Sequence, residues 1–273
     1  MSLAKSIEVD ILETNKYSGR FIVKGINPAI ANALRRVLIA EVPVMAIDEV
    51  VILENNSALF DEYLAHRLGL IPLKTDFELI NEYIEDRERA LKNTVSLELD
   101  IEALDKDITV FSGHLRSEDP RVVPVSDTIP IAKLAKGQRI VLEAFARLGC
   151  GKEHAKWQPV SVSAYKYMPV IKIDLEKCNS CGICVEVCPK NVLEISSGKL
   201  VVTDLINCSL CRACVEVCER EAIKVRGDES TIIFNIETVG SLTFREVVLA
   251  GLEVLIAKAR DFRESLEEIL GKA

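Results

Sequence analysis

The chain opens with apolar and polar residues in alternation, which predicts two strands joined by a turn. Ile7, Val9 and Ile11 alternate with acidic residues, as in a half-buried strand. Residues 17–20 have the composition of a turn, and residues 21–24 return as a second strand. A helix follows at once, because Asn27 can cap it and a proline occupies its first position.

This first helix is predicted to reach about Glu41 and to have two different faces. The spacing i, i+4, i+7, i+8 predicts a buried stripe of Ile30, Leu34, Val37 and Leu38. The opposite face carries Asn32, Arg35, Arg36 and Ile39. Two arginines alone would indicate a solvated face, but an isoleucine among them favours a contact with another protein.

Residues 47–172 are predicted to form a β-rich domain with small helices. Strict alternation over residues 95–101 indicates a strand with one wet face. Further strands are predicted at 108–114, 139–147 and 160–173, with a short helix over 59–68. Two other segments are less regular: the acidic residues 76–92 suggest a surface helix or loop, and Gly149-Cys150-Gly151 suggests a turn.

The last part of the chain predicts a strand followed by one long helix. A turn is expected at Gly227-Asp228, then a strand over 231–239, and Thr243 and Glu246 form a capping box. The helix should run to about residue 270, roughly 40 Å at 1.5 Å per residue. Apolar residues repeat along it at intervals of four and three, which predicts a seam for another helix: Val248, Leu252, Leu255, Ala259, Phe262, Leu266 and Ile269.

The cysteines are the strongest candidate for chemistry. The spacing C-x2-C-x2-C-x3-C occurs twice, and it matches the run that holds 4Fe–4S clusters in bacterial ferredoxins. Because the fourth cysteine of each run binds the other cluster, one cluster is assigned to Cys178, Cys181, Cys184 and Cys218. The second cluster is assigned to Cys208, Cys211, Cys214 and Cys188. Zinc or disulfides fit a doubled four-cysteine run less well. The first run is followed by Pro189, whereas Glu219 stands at the corresponding position after the second run. Cys150 belongs to neither run.

Composition narrows the class of protein. The chain has 273 residues, 49% of them hydrophobic and 28% charged, which is ordinary for a globular protein of two or three domains. A net charge of −8 without a basic tail argues against a nucleic-acid-binding surface. The first residues lack the apolar core of a signal peptide and no run is long enough to span a membrane, so a reducing cytoplasm is expected. No phosphate loop or nucleophile–base motif marks a catalytic site.

Three segments resemble the signatures of the α-type assembly subunits of RNA polymerase. They are NALRRVLIAEVP (32–43) with AID (46–48), FDEYLAHRLGLIP (60–72) and HAKWQP (154–159). Together with a ferredoxin insert, the pattern is similar to the D-type subunits of archaeal polymerases over essentially the whole chain. Without the resemblance, Glu62 and His66 would indicate an ion-paired face more than a metal pair, and Trp157 a core or interface anchor.

The resemblance implies an α+β fold with a discontinuous dimerisation domain, residues 1–46 plus 229–273. Neither end is large enough to bury a core alone, which independently favours joining them. An inserted β-rich domain (47–172) and an inserted ferredoxin-like domain with two 4Fe–4S clusters (173–228) complete the expected organisation. As implied partners, the family gives a smaller α-like subunit L, subunits N and P, and the large catalytic subunits, with DNA reached only through the complex.

Two functional classes are therefore open. The first is a non-catalytic scaffold of DNA-directed RNA polymerase, in which the clusters are structural staples or redox sensors. The short cysteine module has few large apolar residues, so a stapling role is favoured. The second is a ferredoxin-type electron-transfer subunit of an oxidoreductase, which would predict another cofactor site or a docking surface elsewhere in the chain.

Overall fold

The structure is a computed structural model that describes residues 7–86 and 90–271. It is a mixed α+β fold with several sheets. The helices are α1 (Pro28–Ala40), α2 (Asp61–Gly69), α3 (Phe77–Glu85), α4 (Ile183–Glu186), α5 (Ala213–Glu216) and α6 (Phe244–Gly271). The strands are β1 (Glu8–Thr14), β2 (Ser18–Lys24), β3 (Pro43–Asn55), β4 (Thr94–Glu102), β5 (Ile108–Phe111), β6 (Arg116–Ser117), β7 (Pro130–Leu134), β8 (Arg139–Cys150), β9 (Val160–Ile173), β10 (Leu193–Ser196), β11 (Lys199–Val202) and β12 (Ile223–Thr238).

The strands of the described residues form four sheets. One four-stranded sheet has the order β1-β2-β12-β9, and the other has the order β3-β8-β4-β6. Two small sheets pair β10 with β11 and β5 with β7. The antiparallel pair β3 and β8 is long, with shifts of register after Ile47 and after Ile52 that bend β3.

The described residues divide into two compact units. One contains residues 7–12, 21–31 and 165–234, and the other contains residues 13–20, 32–164 and 235–271 with a gap at 87–89. In the larger unit, α2 and α3 cover one face of the sheet β3-β8-β4-β6. Leu64, Leu68 and Tyr83 from these helices pack with Leu97 and Leu142 of the sheet. The acidic segment therefore supplies a helix with a buried side, α3, which Asp76 caps.

The larger unit also contains most of α1 and all of α6. Thr243 and Glu246 form the expected capping box, with Thr243 N donating to Glu246 Oε2 at 2.8 Å. Gly251 lets α6 approach α1 closely, because a Cβ there would lie 2.6 Å from Leu38 Cδ2. Leu34, Val37 and Leu38 are buried as predicted.

Ile30 was wrongly assigned to the buried stripe of α1. It is 51% exposed, and the stripe instead continues through the fully buried Ala31. Ala31 lies three residues before Leu34, so it falls on the same helical face. An alanine indicates burial only weakly in a sequence, whereas an isoleucine indicates it strongly. In the first turn of α1 the prediction therefore selected Ile30, although Ala31 is the residue that is buried.

The first strand was expected to be half-buried, and it is not. Ile7, Val9 and Ile11 are 62%, 58% and 63% exposed. Alternation predicts which residues share a face, but β1 lies at the edge of its sheet, and nothing in the described part of the chain covers that face.

Two glycine segments were predicted as turns. Gly227-Asp228 lies inside a strand, whereas Gly149 and Cys150 end β8 and the chain turns from Gly151 onwards. β12 runs straight through Gly227, where a Cβ would lie only 2.7 Å from the Cβ of Tyr167. Gly149 belongs to β8 and leaves room for the indole of Trp157, and Gly151 leaves room for the carbonyl oxygen of Ile39. Glycine is needed at these positions for close approach rather than for chain reversal. Among the helices of the described residues, none has the length and apolarity needed to cross a bilayer.

Candidate metal centres and partner surface

The cysteine module is an internal repeat with an offset of 30 residues (208 − 178). The backbone repeats with the same offset. Ser180 and Leu210 have φ angles of 56° and 58°, and Gly182 and Arg212, which precede α4 and α5, have φ angles of 87° and 65°. Three of these four residues are not glycine, so the left-handed conformation costs energy in each loop. The repeat therefore preserves one loop shape, and not only the cysteine spacing.

The first set of cysteines lines one cavity of about 140 Å³. Its walls include all four cysteines assigned to the first cluster: Cys178, Cys181, Cys184 and Cys218. Apolar side chains, among them Leu200 and Ile223, close the inner side. The fourth cysteine comes from the second run, as the crossed assignment requires.

The second set lines a tighter cavity of about 10 Å³. Its cysteines are Cys188, Cys208, Cys211 and Cys214, again with one member from the other run. Cys208 and Cys214 are buried, whereas Cys211 is exposed. The two cavities thus divide the eight cysteines into the same two sets of four that the sequence predicted.

Each cavity offers four cysteine sulfurs, the donor set that an iron–sulfur cluster takes. In the described residues, no three Cys, His, Asp or Glu side chains converge closely enough to share one metal ion. A cubane instead gives each thiolate its own iron, so the four sulfurs stand farther apart.

Burial and close packing oppose the ionisation of the deeper thiols. Burial, together with the neighbouring cysteines, raises the pKa of Cys214 to about 11 and also raises the pKa of Cys184. The pKa of Cys211 is lowered by hydrogen bonds from the backbone N–H of Ala213 and from the side chain of Ser209. Crowded, buried thiols resist ionisation unless cations are close, and cluster iron would supply that positive charge.

Most of the predicted partner residues lie on an exposed side of the long helix. α6 buries Val247, Ala250, Gly251 and Val254. The seam residues lie on another face: Leu252, Phe262 and Leu266 are 42%, 68% and 42% exposed, and Val248 and Leu255 are half-buried. On α1, Arg36 is exposed and Ile39 half-buried, while Arg35 donates to Asn32 Oδ1 at 2.9 Å.

The three signature segments meet at one cavity of about 250 Å³. Asp48 from the first segment, His66 from the second and both His154 and Lys156 from the third line it. Asp48 accepts hydrogen bonds from Arg147 Nε at 2.6 Å and from Lys156 Nζ at 2.5 Å. Burial alone would raise the pKa of Asp48, but these two partners outweigh burial and lower it.

Trp157 is the anchor of this region. It is only 2% exposed, and its indole N–H donates to the carbonyl oxygen of Arg147 at 3.2 Å. The Arg147 guanidinium and the Lys156 ammonium lie 4.4 Å and 4.2 Å from the ring centroid. Trp157 is therefore a core anchor, one of the two roles that its sequence suggested.

The sequence reasoning missed one group of residues with functional potential. Exposed apolar side chains occur at and around α2 (Phe60, Tyr63 and Leu70) and on β3 (Val51 and Leu53). Phe60 is 80% exposed and Leu53 71% exposed, the two largest exposed fractions in this group. Their spacing resembles that of buried residues, so only the tertiary structure distinguishes them.

A family model described as the RNA polymerase Rpb3/Rpb11 dimerisation domain matches residues 20–259. The DNA-directed RNA polymerase subunit Rpo3 of Archaeoglobus fulgidus is 44% identical over 265 residues, which cover 96% of this chain and 98% of that relative. The chain belongs to the archaeal Rpo3 family. Rpo3 of Pyrococcus furiosus is 40% identical over 275 residues, covering 96% of this chain and 98% of the relative. Rpo3 of Methanosarcina acetivorans is 39% identical over 270 residues, covering 97% and 100%.

Membership of the Rpo3 family confirms the resemblance carried by the three signature segments. The mixed α+β fold with several sheets is consistent with the dimerisation domain that the family model describes. The matched residues include α1 and the first half of α6, the two helices that pack through Gly251 and Leu38.

Proposed function

We propose that this Rpo3-family chain is a non-catalytic assembly subunit of DNA-directed RNA polymerase that pairs with a smaller α-like subunit, L. The carrying observation is the second apolar face of α6, which the described chain leaves open along Leu252, Phe262 and Leu266. Seam residues spaced by four and three favour another helix as the occupant. The chain would act in nucleotidyl transfer only within the assembled complex.

The domain organisation follows from the same proposal. Residues 1–46 with 229–273 would form the dimerisation domain, residues 47–172 the β-rich insert and residues 173–228 the ferredoxin-like insert. The exposed apolar side chains of α2 and β3 would contact further subunits, the large catalytic subunits or N and P. DNA would be reached only through these partners, in keeping with a net charge of −8.

The ferredoxin-like insert would hold two 4Fe–4S clusters, one per cavity. Its buried core consists of aliphatic residues and cysteines: Cys184, Val192, Leu193, Leu200, Cys208, Cys214 and Ile223. So small a core contributes little hydrophobic stabilisation, and metal–thiolate bonds would supply the rest. We therefore favour a structural role, with redox sensing as the alternative use of the same clusters.

Co-purification tests the assembly function. A tagged chain isolated from native extract should bring the other polymerase subunits at stoichiometric amounts. Recovery of a redox enzyme without polymerase would refute the scaffold and support an electron-transfer subunit. The three Rpo3 relatives are all named as polymerase subunits, so they give the electron-transfer alternative no support.

Metal analysis tests the clusters. Protein purified without oxygen should be brown, should bleach with dithionite and should contain about eight iron and eight sulfide per chain, as two 4Fe–4S clusters require. Stoichiometric zinc without acid-labile sulfide would overturn the cluster assignment and leave the assembly function untouched.

A further inference from the structure

A lysine outside the cysteine runs is bound to the loop of the second set. Lys166 lies on β9 and is half-buried. Its Nζ donates to the carbonyl oxygen of Ile206 at 2.6 Å and to that of Cys208 at 2.8 Å. Cys208 is itself one of the four cysteines lining the second cavity. The ammonium group is thus fixed beside a ligand residue.

The first set has no equivalent cation in the described residues. The repeat offset places Glu176 and Cys178 where the second loop has Ile206 and Cys208. Both loops begin in the same way, since Asp174 Oδ1 accepts from Lys177 N and Asp204 Oδ1 accepts from Asn207 N. No side-chain donor among the hydrogen bonds of the described residues reaches the Glu176 or Cys178 carbonyl. The lysine contact therefore breaks the symmetry of the repeat.

The charged side chains lining the second cavity are also more positive than those lining the first. The first cavity is lined by Glu219 and Arg220, whose charges oppose each other. The second is lined by Lys190 and Arg212, both positive. Glu216 acts on Cys211 with a negative charge. Lys190 and Arg212 are exposed and screened by solvent, whereas Lys166 is half-buried and is held beside Cys208.

We infer that Lys166 sets the second cluster apart from the first: it positions the Cys208 loop and makes the second cluster the more easily reduced of the two. The inference rests on the proposed pair of 4Fe–4S clusters. Reduction adds one negative charge to a cluster, and a fixed cation nearby stabilises the reduced form. An electron supplied by dithionite would therefore settle first on the cluster held by Cys188, Cys208, Cys211 and Cys214.

A redox titration followed by electron paramagnetic resonance tests the order of reduction. The sample is the full chain co-purified with its small partner subunit. Cys184→Ala disables the first set and should leave the higher-potential centre. Cys214→Ala disables the second set and should leave the lower-potential centre. The reverse assignment would overturn the inference.

Lys166→Met tests the residue itself, because it keeps most of the length of the side chain and removes the charge. In the Cys184→Ala background it should lower the reduced-to-oxidised ratio of the second cluster about tenfold at a given potential, equivalent to 59 mV for one electron. Selective loss of that cluster would equally support the positioning role. In the Cys214→Ala background, Lys166→Met should change nothing, and Lys166→Arg should restore the behaviour of the second cluster.

Three results would contradict the role of Lys166. The first is an unchanged potential and occupancy of the second cluster in Lys166→Met, and the second is an equal shift in the potentials of both clusters. The third is a failure of Lys166→Arg to restore the potential or occupancy of the second cluster, provided that the Lys166→Met chain still pairs with its partner. A wild-type protein without iron would refute the proposed cofactor first and the inference with it. Iron content in the wild type therefore separates the two failures.

Discussion

Leu252→Arg is the sharpest test of the proposed dimer interface. Leu252 is 42% exposed on the open face of α6, so the chain alone can accept an arginine there without losing its own core. In a heterodimer, the same position would be enclosed by a partner helix. The substitution should therefore abolish pairing and leave folding of the chain intact.

The magnitude follows from two contributions. Fully burying a leucine contributes about 1.5–3 kcal/mol. The exposed 42% of Leu252 therefore corresponds to about 0.6–1.3 kcal/mol. An uncompensated buried charge costs about 3–5 kcal/mol more. Since each 1.4 kcal/mol is tenfold, the dissociation constant should rise by about 400-fold to 30,000-fold.

The assay is size-exclusion chromatography of the co-expressed pair, with circular dichroism of the isolated chain to verify folding. Glu253→Arg is the matched control, because Glu253 is exposed and lies about 100° farther around the helix. The control should still elute as a heterodimer. A folded Leu252→Arg variant that also elutes as a heterodimer would show that the partner contacts another surface.

Three further outcomes are expected. The double substitution Cys184→Ser with Cys188→Ser should remove both clusters and unfold the cysteine module, but it should preserve pairing with the small subunit. Any enzyme that still assembles should elongate RNA at a normal rate. An elongation rate that falls with cluster content would refute a purely structural role. Gly149→Ala should destabilise the chain by about 1–3 kcal/mol in urea denaturation, because its Cβ would overlap the indole of Trp157. Asp48 has a lowered pKa in the folded chain, so its contribution to stability should be complete above pH about 4 and should be lost as the pH falls through the pKa of the folded state. The free energy of unfolding should therefore depend less on acid pH in Asp48→Asn than in the wild type. An identical dependence in both proteins would contradict the ion-pair assignment.

Much of the candidate site could be inferred from sequence because the information is local. The spacing of the cysteines constrains which thiols can share a centre, and the two cavities contain the same sets of four. The capping box at Thr243 and the long amphipathic helix after it depend on neighbours three and four residues apart, and α6 begins and ends near the expected residues. Three signature segments were sufficient to identify the family.

Features that depend on distant residues could not be inferred in this way. Glycine signals chain reversal in a sequence, but Gly149 and Gly227 accommodate side chains that are close only after folding. Alternation at Val9 predicted a buried face, whereas exposure depends on what covers the edge of a sheet. Phe60 has the same hydrophobicity as a core residue and projects into solvent.

The sequence by itself determined the family, and it predicted the two sets of cysteines and the seam on the long helix, because each rests on spacing along the chain. The tertiary structure alone decided that Asp48 and Lys156, 108 residues apart, form an ion pair. It also decided that Lys166 of β9 lies on the loop of Cys208. Such contacts depend on how strands and loops pack in three dimensions, so no periodicity along the sequence predicts them.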